Sequence, residues 1–456
     1  MENEAKVTNA ILLARMGNKM VLPDGSLCDT DGRKTRINNN VIVLGTSGGG
    51  KTRSVVIPNI LAARESMIIA DPKSSLYEEC GGYLKRRGFR VLRINLIDPE
   101  RSDHYNPFAC AETSDEVMRL AHLICYSNGG AATGGHGGSY DPFWDRASEL
   151  LLSALIGFLV ERDRLSPAKG NGRNVTELMR LLEMIDANEM EDCGTCEFDK
   201  LAEEHQKAYL NERKEESWAF HQWKKFRQTP VKTFQSILIV TNAMLATLDT
   251  KGMEKLMSVD DLRLESIGTE WTAVFVETSD TDRSKDLLAN VFYGQAMNAL
   301  CSHADAQPEH RLKVPVRFIL DDFGTACRID NFERMISNVR SRNVSVMIVL
   351  QSLSQLEAGY GESSRTIIEN CDTLLYMGGN DVDTAKYISV RAAKPVKSIL
   401  SMPVSTHWQF RREQHPKFCD TVDVSEYGWK ARGSGRELLL PRPADHGRRG
   451  ICDGAL

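Results

Sequence analysis

No apolar run in this sequence approaches the ~20 residues that a bilayer-spanning helix needs. The longest, residues 150–160, is broken by Ser153 and Gly157 and reads as a core helix. The first residues lack the apolar stretch of a secretory leader. Cysteine is not scarce, but it lacks a framework of paired spacings. The eleven residues Cys28, Cys80, Cys110, Cys125, Cys193, Cys196, Cys301, Cys327, Cys371, Cys419 and Cys452 are scattered, which suits a reducing cytosol and excludes a disulfide framework. One CxxC occurs, Cys193-Gly194-Thr195-Cys196. A zinc site needs a second pair of ligands and only His205 lies close by, so structural cysteines are favoured over metal. Nor does charge of one sign dominate. Lys and Arg total 57 against 62 Asp and Glu, a net charge of −5. That excludes a protein coating nucleic acid over its whole surface and leaves contact that is local or made by an assembled ring. With 41% apolar and 26% charged residues over 456 positions, the chain is predicted to fold, with core enough for two or three domains.

What is present begins at residues 39–52. Val41-Ile42-Val43-Leu44 has the β-branched character of a buried strand. It empties into Gly45-Thr46-Ser47-Gly48-Gly49-Gly50-Lys51-Thr52, and helical spacing follows over residues 53–63. Strand, glycine-rich loop, Lys-Thr and helix in that order make the context that a P-loop requires and an ordinary glycine turn lacks. In Gly45, Thr46, Ser47, Gly48, Gly49 and Gly50 the backbone N–H groups can close around phosphates, and the helix start adds its dipole. Lys51 reaches the β- and γ-phosphates, and the Thr52 hydroxyl binds Mg²⁺. Pro58 is predicted to kink or shorten the helix.

Residues 1–40 are polar and turn-rich, with only 10–14 and 20–22 apolar enough for short edge strands. Residues 66–73 read as a second strand ending in Asp71-Pro72-Lys73, residues 76–87 as a helix, and residues 90–95 as a third strand. This alternation predicts a parallel sheet with helices on both faces. From about 110 to 235 the period is helical, interrupted early by a glycine-rich loop at 129–138. Helices are predicted over 141–162, 175–184 and a charged span at 203–227 that carries Trp218 and Trp223. Those tryptophans could stack bases, but their helical spacing favours packing in the segment's own core. Alternation resumes with strands at 271–276, 316–322 and 344–351, helices at 287–301 and 332–342, and a last strand near 373–377. One sheet is thus built from both ends of the chain.

The strand at 316–322 ends in Asp321-Asp322, the form of a Walker B element. Asp321 would hold the Mg²⁺ shell, and Asp322 would orient and deprotonate the attacking water. Paired acids at a strand end can also be a solvated edge; the P-loop in the same sheet favours function. Gln351 ends the next strand, where its amide can sense the γ-phosphate or position water between adjacent strands. Arg340 reads as an ordinary arginine unless subunits meet at the nucleotide, where it would serve in trans as an arginine finger. A strand inserted between those of the P-loop and Walker B would make the core RecA-like.

These residues carry a resemblance over roughly 40–425. The sequence resembles the VirD4/TraG family of type IV secretion coupling proteins. The matching stretches are Gly45 through Thr52, Asp71-Pro72-Lys73 with Tyr77, Asn106-Pro107-Phe108, Phe143-Trp144, Asp321-Asp322-Phe323, Arg340, Gln351-Ser352-Leu353-Ser354-Gln355-Leu356, Asn370-Cys371-Asp372, and Asp381 with Thr384 and Ser389. The resemblance implies an α/β fold: a RecA-like P-loop NTPase core, residues 1–110 and 236–427, with an inserted all-α domain at 111–235 that engages substrate. It also implies an ATP- and Mg²⁺-dependent ATPase that delivers relaxase-bound single-stranded DNA to a conjugation channel and works as a homo-hexamer. Lys51, Thr52, Asp321, Asp322, Arg340 and Gln351 match the nucleotide-handling positions. Two departures stand out. Family members usually carry Asp-Glu where this chain has Asp321-Asp322, which withdraws the base by one methylene. They also usually begin with transmembrane helices, and none is evident here, so a cytoplasmic chain peripheral at the inner face of the membrane is expected, either recruited by a separate membrane subunit or a soluble or truncated variant. The tail at 428–456, with Arg432, Arg436, Arg442, Arg448 and Arg449, reads as basic and flexible.

Three functions remain open on these grounds. A DNA-translocating ATPase leads. A nucleotide-dependent substrate-recruitment module with little or no turnover is the alternative, favoured by Asp322 in place of glutamate. A metabolic kinase is disfavoured because no acceptor site or lid is evident.

Overall fold

The computed structural model describes residues 19–29, 35–127, 142–166, 172–186, 194–326, 328–403 and 405–421. The apolar stretch at 10–14, the glycine-rich loop at 129–138, Cys193 of the CxxC, Cys327, Cys452 and the basic tail from 428 lie outside these residues. The strands are β1 (Lys19–Val21), β2 (Leu27–Asp29), β3 (Val41–Leu44), β4 (Ser66–Asp71), β5 (Arg90–Asn95), β6 (Thr272–Glu277), β7 (Val316–Leu320), β8 (Val344–Leu350), β9 (Thr373–Tyr376), β10 (Thr406–Arg411) and β11 (Lys417–Asp420). Nine of them form one sheet in the order β11-β10-β9-β3-β8-β7-β4-β6-β5. From β9 to β5 every pairing is parallel; β10 and β11 add an antiparallel edge.

Strand β8 lies between P-loop strand β3 and Walker B strand β7, so the RecA-like condition is met. One expectation is corrected: the strand at 373–377 is not the last, because β10 and β11 follow it. The apolar residues at 20–22 do contribute to a short edge strand, β1, which pairs with β2 in a separate two-stranded ribbon.

The parallel strands are buried on both faces, which is why they read as continuous apolar runs rather than alternating ones. Ile42, Leu44, Phe318 and Leu320 join one buried cluster, whereas Val41, Val43 and Ile319 join another on the opposite face. The second cluster includes α1 (Ile57–Ala62), Leu84 of α2 (Gly82–Arg86) and residues of the β1–β2 ribbon. Ahead of α1, Thr52–Val56 forms a π-turn in which the Ile57 N–H donates to the Thr52 carbonyl. The α-helix proper then spans only six residues, with Pro58 in its first turn. In an uninterrupted α-helix the Pro58 ring would clash with the Ser54 carbonyl, and widening the preceding turn relieves that clash.

Between β5 and β6 the described residues form no strand. The α-helices there are α3 (Ser114–Tyr126), α4 (Phe143–Leu165), α5 (Val175–Glu183), α6 (Glu197–Arg213), α7 (Trp218–Phe226), α8 (Val231–Leu245) and α9 (Lys251–Leu256). The boundary expected at 235 falls inside α8, and helices run on to Leu256. The β-branched Ile237, Ile239 and Val240 blur the helical period there. Trp223 is a core residue: it is 2% exposed, packs edge-to-face on Phe198 at 4.7 Å, and donates its indole N–H to Asp199 at 2.8 Å. Trp218 packs on Gly157 of α4, where a Cβ would stand 2.8 Å from the indole ring. Packing, rather than base stacking, accounts for both. Buried Glu161 of α4 fixes the start of α7 by accepting from the Trp218 N–H at 2.9 Å and the His205 ring at 3.0 Å. Cys196 is buried at the start of α6.

Candidate nucleotide-binding site

Parallel strands gather their carboxyl ends along one edge, where open α/β sheets bind ligands. Here that edge carries the P-loop after β3, Asp71-Pro72-Lys73 at the end of β4, Asp321-Asp322 after β7 and Gln351 after β8. A cavity of about 380 Å³ lies among them. It is lined by Ser47, Gly48, Gly49, Gly50, Lys51, Thr52, Asp321, Asp322 and Gln351, so the structure brings together most of the residues picked out by sequence.

Gly45 and Thr46 act from beneath. The Gly45 N–H donates to the Leu350 carbonyl at 3.1 Å and the Thr46 N–H to the Gly378 carbonyl at 3.2 Å, tying the loop to β8 and to the turn after β9. Gly48 and Gly50 have φ of 76° and 80°, a region costly for other residues, so the loop's course depends on glycine there. Lys51 Nζ donates to the Gly45 carbonyl at 2.6 Å and to the Thr46 carbonyl at 2.9 Å, folded back along the loop it must serve. Burial holds its ammonium below the usual lysine range, opposed by Asp321 and Asp322.

The Thr52 hydroxyl donates to Asp321 Oδ2 at 2.8 Å. Burial pushes the Asp321 carboxyl up, against the Thr52 hydrogen bond and the Lys51 charge that lower it. A hydroxyl and a carboxylate in contact beside a phosphate-shaped loop are the hard oxygen donors that Mg²⁺ takes, so the residues fit the ion. Asp322 adopts the left-handed conformation at φ 54°, and its N–H donates to Asp321 Oδ1 at 3.1 Å. That conformation costs about 1 kcal/mol for a non-glycine residue and turns the chain sharply as it leaves β7. Gln351 is fixed through its backbone N–H, which donates to the Gln355 side chain at 2.9 Å.

Arg340 is not in this cavity. It is exposed on the 3-10 turn Val339–Arg342, which precedes β8, whereas Gln351 follows that strand at its far end. The sequence-based selection omitted several lining residues, among them the charged Asp71 and Lys73 at the end of β4. Their signal was present: a strand ending in a carboxylate, in a sheet whose carboxyl edge already held the P-loop.

The geometry defines a P-loop nucleotide-binding protein with a RecA-like core and an inserted all-α segment. Residues 3–394 match the family described as Type IV secretory system Conjugative DNA transfer, and the chain belongs to that family. The type IV secretion system-coupling protein VirD4 of Bartonella henselae is 21% identical over 363 residues, covering 78% of this chain and 53% of the relative. The conjugal transfer protein TraG of Rhizobium radiobacter is 24% identical over 363 residues, covering 77% of this chain and 51% of TraG. The chain thus spans about half the length of these curated relatives. Among solved structures, the bacterial conjugative coupling protein TrwBdeltaN70 superposes with a TM-score of 0.62 at 15% identity, covering 91% of both chains. TrwB in complex with ADP and Mg²⁺ superposes with a TM-score of 0.59 at 16% identity, covering 91% of this chain and 92% of TrwB.

Proposed function

We propose that this chain is the ATP-hydrolysing coupling protein of a conjugation system, delivering relaxase-bound single-stranded DNA to a type IV secretion channel. The observation that carries the reading is the 2.8 Å contact of Thr52 with Asp321, which joins the P-loop to the Walker B strand. In this reading the amides of residues 45–50 and Lys51 bind the ATP phosphates, and Thr52 and Asp321 hold Mg²⁺. When bound, the ion neutralises phosphate charge as the γ-phosphoryl leaves. Asp322 orients the attacking water and accepts its proton, and Gln351 senses the γ-phosphate. Lys51 must exchange its two carbonyl partners for phosphate oxygens, a rotation that its flexible stem permits.

Arg340 lies across the sheet from its own cavity, which supports its use in trans within a homo-hexamer. The helices between β5 and β6 serve as an inserted domain that engages cargo. In this reading the assembly works at the inner face of the membrane. Among the described residues no helix is long and apolar enough to cross one. A recruitment module with little turnover is the second reading, favoured by the short side chain and left-handed backbone of Asp322.

Steady-state ATP hydrolysis with and without single-stranded DNA, with Lys51→Ala as control, separates the two. DNA-stimulated turnover that vanishes in the variant supports the motor. Nucleotide binding without turnover, with or without DNA, supports recruitment. Full activity in Lys51→Ala would sink the site assignment.

A further inference from the structure

Three neighbouring strands reach the cavity edge with carboxylates. Asp71 on β4 pairs in register with Glu277 on β6, and Ala70 pairs with Leu320, the residue before Asp321 on β7. The two outer carboxylates are matched. Asp321 accepts from Thr52 at 2.8 Å. Glu277 receives Arg93 Nε at 2.6 Å and Nη2 at 2.8 Å, and the Ser74 hydroxyl at 2.6 Å.

Asp71 between them is not matched. Its side chain is fully buried and Oδ2 accepts the Tyr77 N–H at 2.8 Å. Oδ1 is buried with no hydrogen-bond partner among the described residues, and the residue lines the nucleotide cavity. An unpartnered buried carboxylate oxygen is costly, and its placement beside a phosphate site supplies a reason to keep it.

We infer that Asp71 Oδ1 accepts a hydrogen bond from a water of the Mg²⁺–nucleotide assembly, which makes Asp71 a further catalytic residue beside Asp322. The inference rests on the nucleotide-hydrolysing reading of the cavity. The water has two possible sources, the metal's shell or the γ-phosphate side. For the attacking water, its oxygen bonds to the γ-phosphorus as the bond to the bridging oxygen breaks, ADP leaves, and the water proton passes to the carboxylate. Burial pushes the Asp71 carboxyl up to about 6, opposed by the N–H groups of Tyr77, Leu76 and Lys73 and reinforced by Glu277. Other charged groups around it are Lys51, Arg53, Asp321 and Asp322 across the cavity, Lys73 on its own loop, and Arg93 behind Glu277. A carboxyl near 6 is well placed to take a proton at neutral pH. It also supplies an acceptor where the second Walker B residue is a methylene short.

Asp71→Asn tests this. The amide oxygen can still accept from Tyr77, so the fold is kept, but an NH₂ replaces the free acceptor. Three quantities are measured on the whole chain: affinity for a fluorescent ATP analogue across a Mg²⁺ titration, phosphate release, and capture of ADP with fluoroaluminate. The expected result is nucleotide affinity at saturating Mg²⁺ within about threefold of wild type and turnover reduced about a hundredfold. A Mg²⁺ requirement raised about tenfold assigns the water to the metal. Lost fluoroaluminate capture at an unchanged Mg²⁺ requirement assigns it to the attacking position. Ser74→Ala, in the same loop, should leave all three unchanged. Asp71→Asn with wild-type Mg²⁺ requirement, capture and turnover would overturn the inference and leave the nucleotide site standing. A wild-type chain that binds no Mg²⁺-ATP would instead overturn the site.

Discussion

The Thr52 hydroxyl and the Asp321 carboxylate, 269 residues apart in the chain, stand 2.8 Å from each other. The two halves of the proposed metal site are therefore brought together by the fold itself. Removing the hydroxyl takes away one of the proposed oxygen ligands and strips a donor from a carboxylate that burial already pushes up. Thr52→Ala is expected to raise the Mg²⁺ concentration needed for half-maximal nucleotide binding about ten- to a hundredfold. A Mg²⁺ titration monitored with a fluorescent ATP analogue reads this directly. An unchanged midpoint would mean that Thr52 is no ligand.

Arg340 precedes β8 and Gln351 follows it. Seven residues of strand separate the two sheet edges by roughly 23 Å, well beyond the reach of an arginine side chain. Within its own chain Arg340 cannot reach the cavity lined by Lys51. Arg340→Ala and Lys51→Ala chains should each be inactive alone, and an equimolar mixture should recover up to about a quarter of wild-type turnover, from interfaces that combine one intact Lys51 with one intact Arg340. Failure of every mixture to recover activity would remove the trans role.

Much of this architecture was legible because it is local. Val41 through Thr52 needs only its own residues to announce a strand, a phosphate loop and a helix start. Asp321 was legible as a polar residue ending an apolar strand. The placement of β8 between β3 and β7 could be expected from chain order, and the topology bears it out. The rest depends on contacts between distant segments. Asp71 looks in sequence like any strand-end carboxylate; that its Oδ1 has no partner among the described residues appears only once Arg93 is seen to satisfy Glu277. The π-turn before Pro58 arises from a clash one turn back in the helix. The β10–β11 hairpin went unseen because its strands mix Trp408 and Phe410 with His407, Gln409 and Arg411, a polarity typical of a sheet edge.

His122 on α3 meets two carboxylates. Its Nδ1 lies 3.5 Å from Glu149 of α4, and its Nε2 lies 3.2 Å from Asp330, on the segment that follows Walker B. Both ring nitrogens can donate only in the charged form. The Asp330 and Glu149 hydrogen bonds raise the imidazole to about 9, against burial. Because the folded value exceeds the ordinary 6.5, the contribution is fully present below about pH 6.5 and lost as pH rises through about 9. The ring is 37% exposed, so solvent screening limits the effect to about 1 kcal/mol or less. Urea melts of wild type and His122→Gln should differ at pH 6 and converge by pH 10. A difference independent of pH would show that shape, not charge, holds this junction.

Asp71 shows the same sign of pH dependence as His122, but here the variant is expected to be the more stable form. Its folded carboxyl lies near 6, above the ordinary 3.8, so the folded state binds the proton more tightly than the unfolded chain does. Stability therefore falls as pH rises from about 4 through 6, and the cost persists at neutral pH. A displacement of that size corresponds to about 3 kcal/mol at most. Asp71→Asn removes the buried charge while keeping an acceptor for Tyr77, so the variant should resist urea better than wild type at pH 8 and lose that advantage near pH 4. Greater stability coupled to slower turnover is what a carboxylate kept for chemistry produces. Lower stability of the variant at pH 8 would mean that the ionised Asp71 holds the fold together, and its place in the cavity would then be structural.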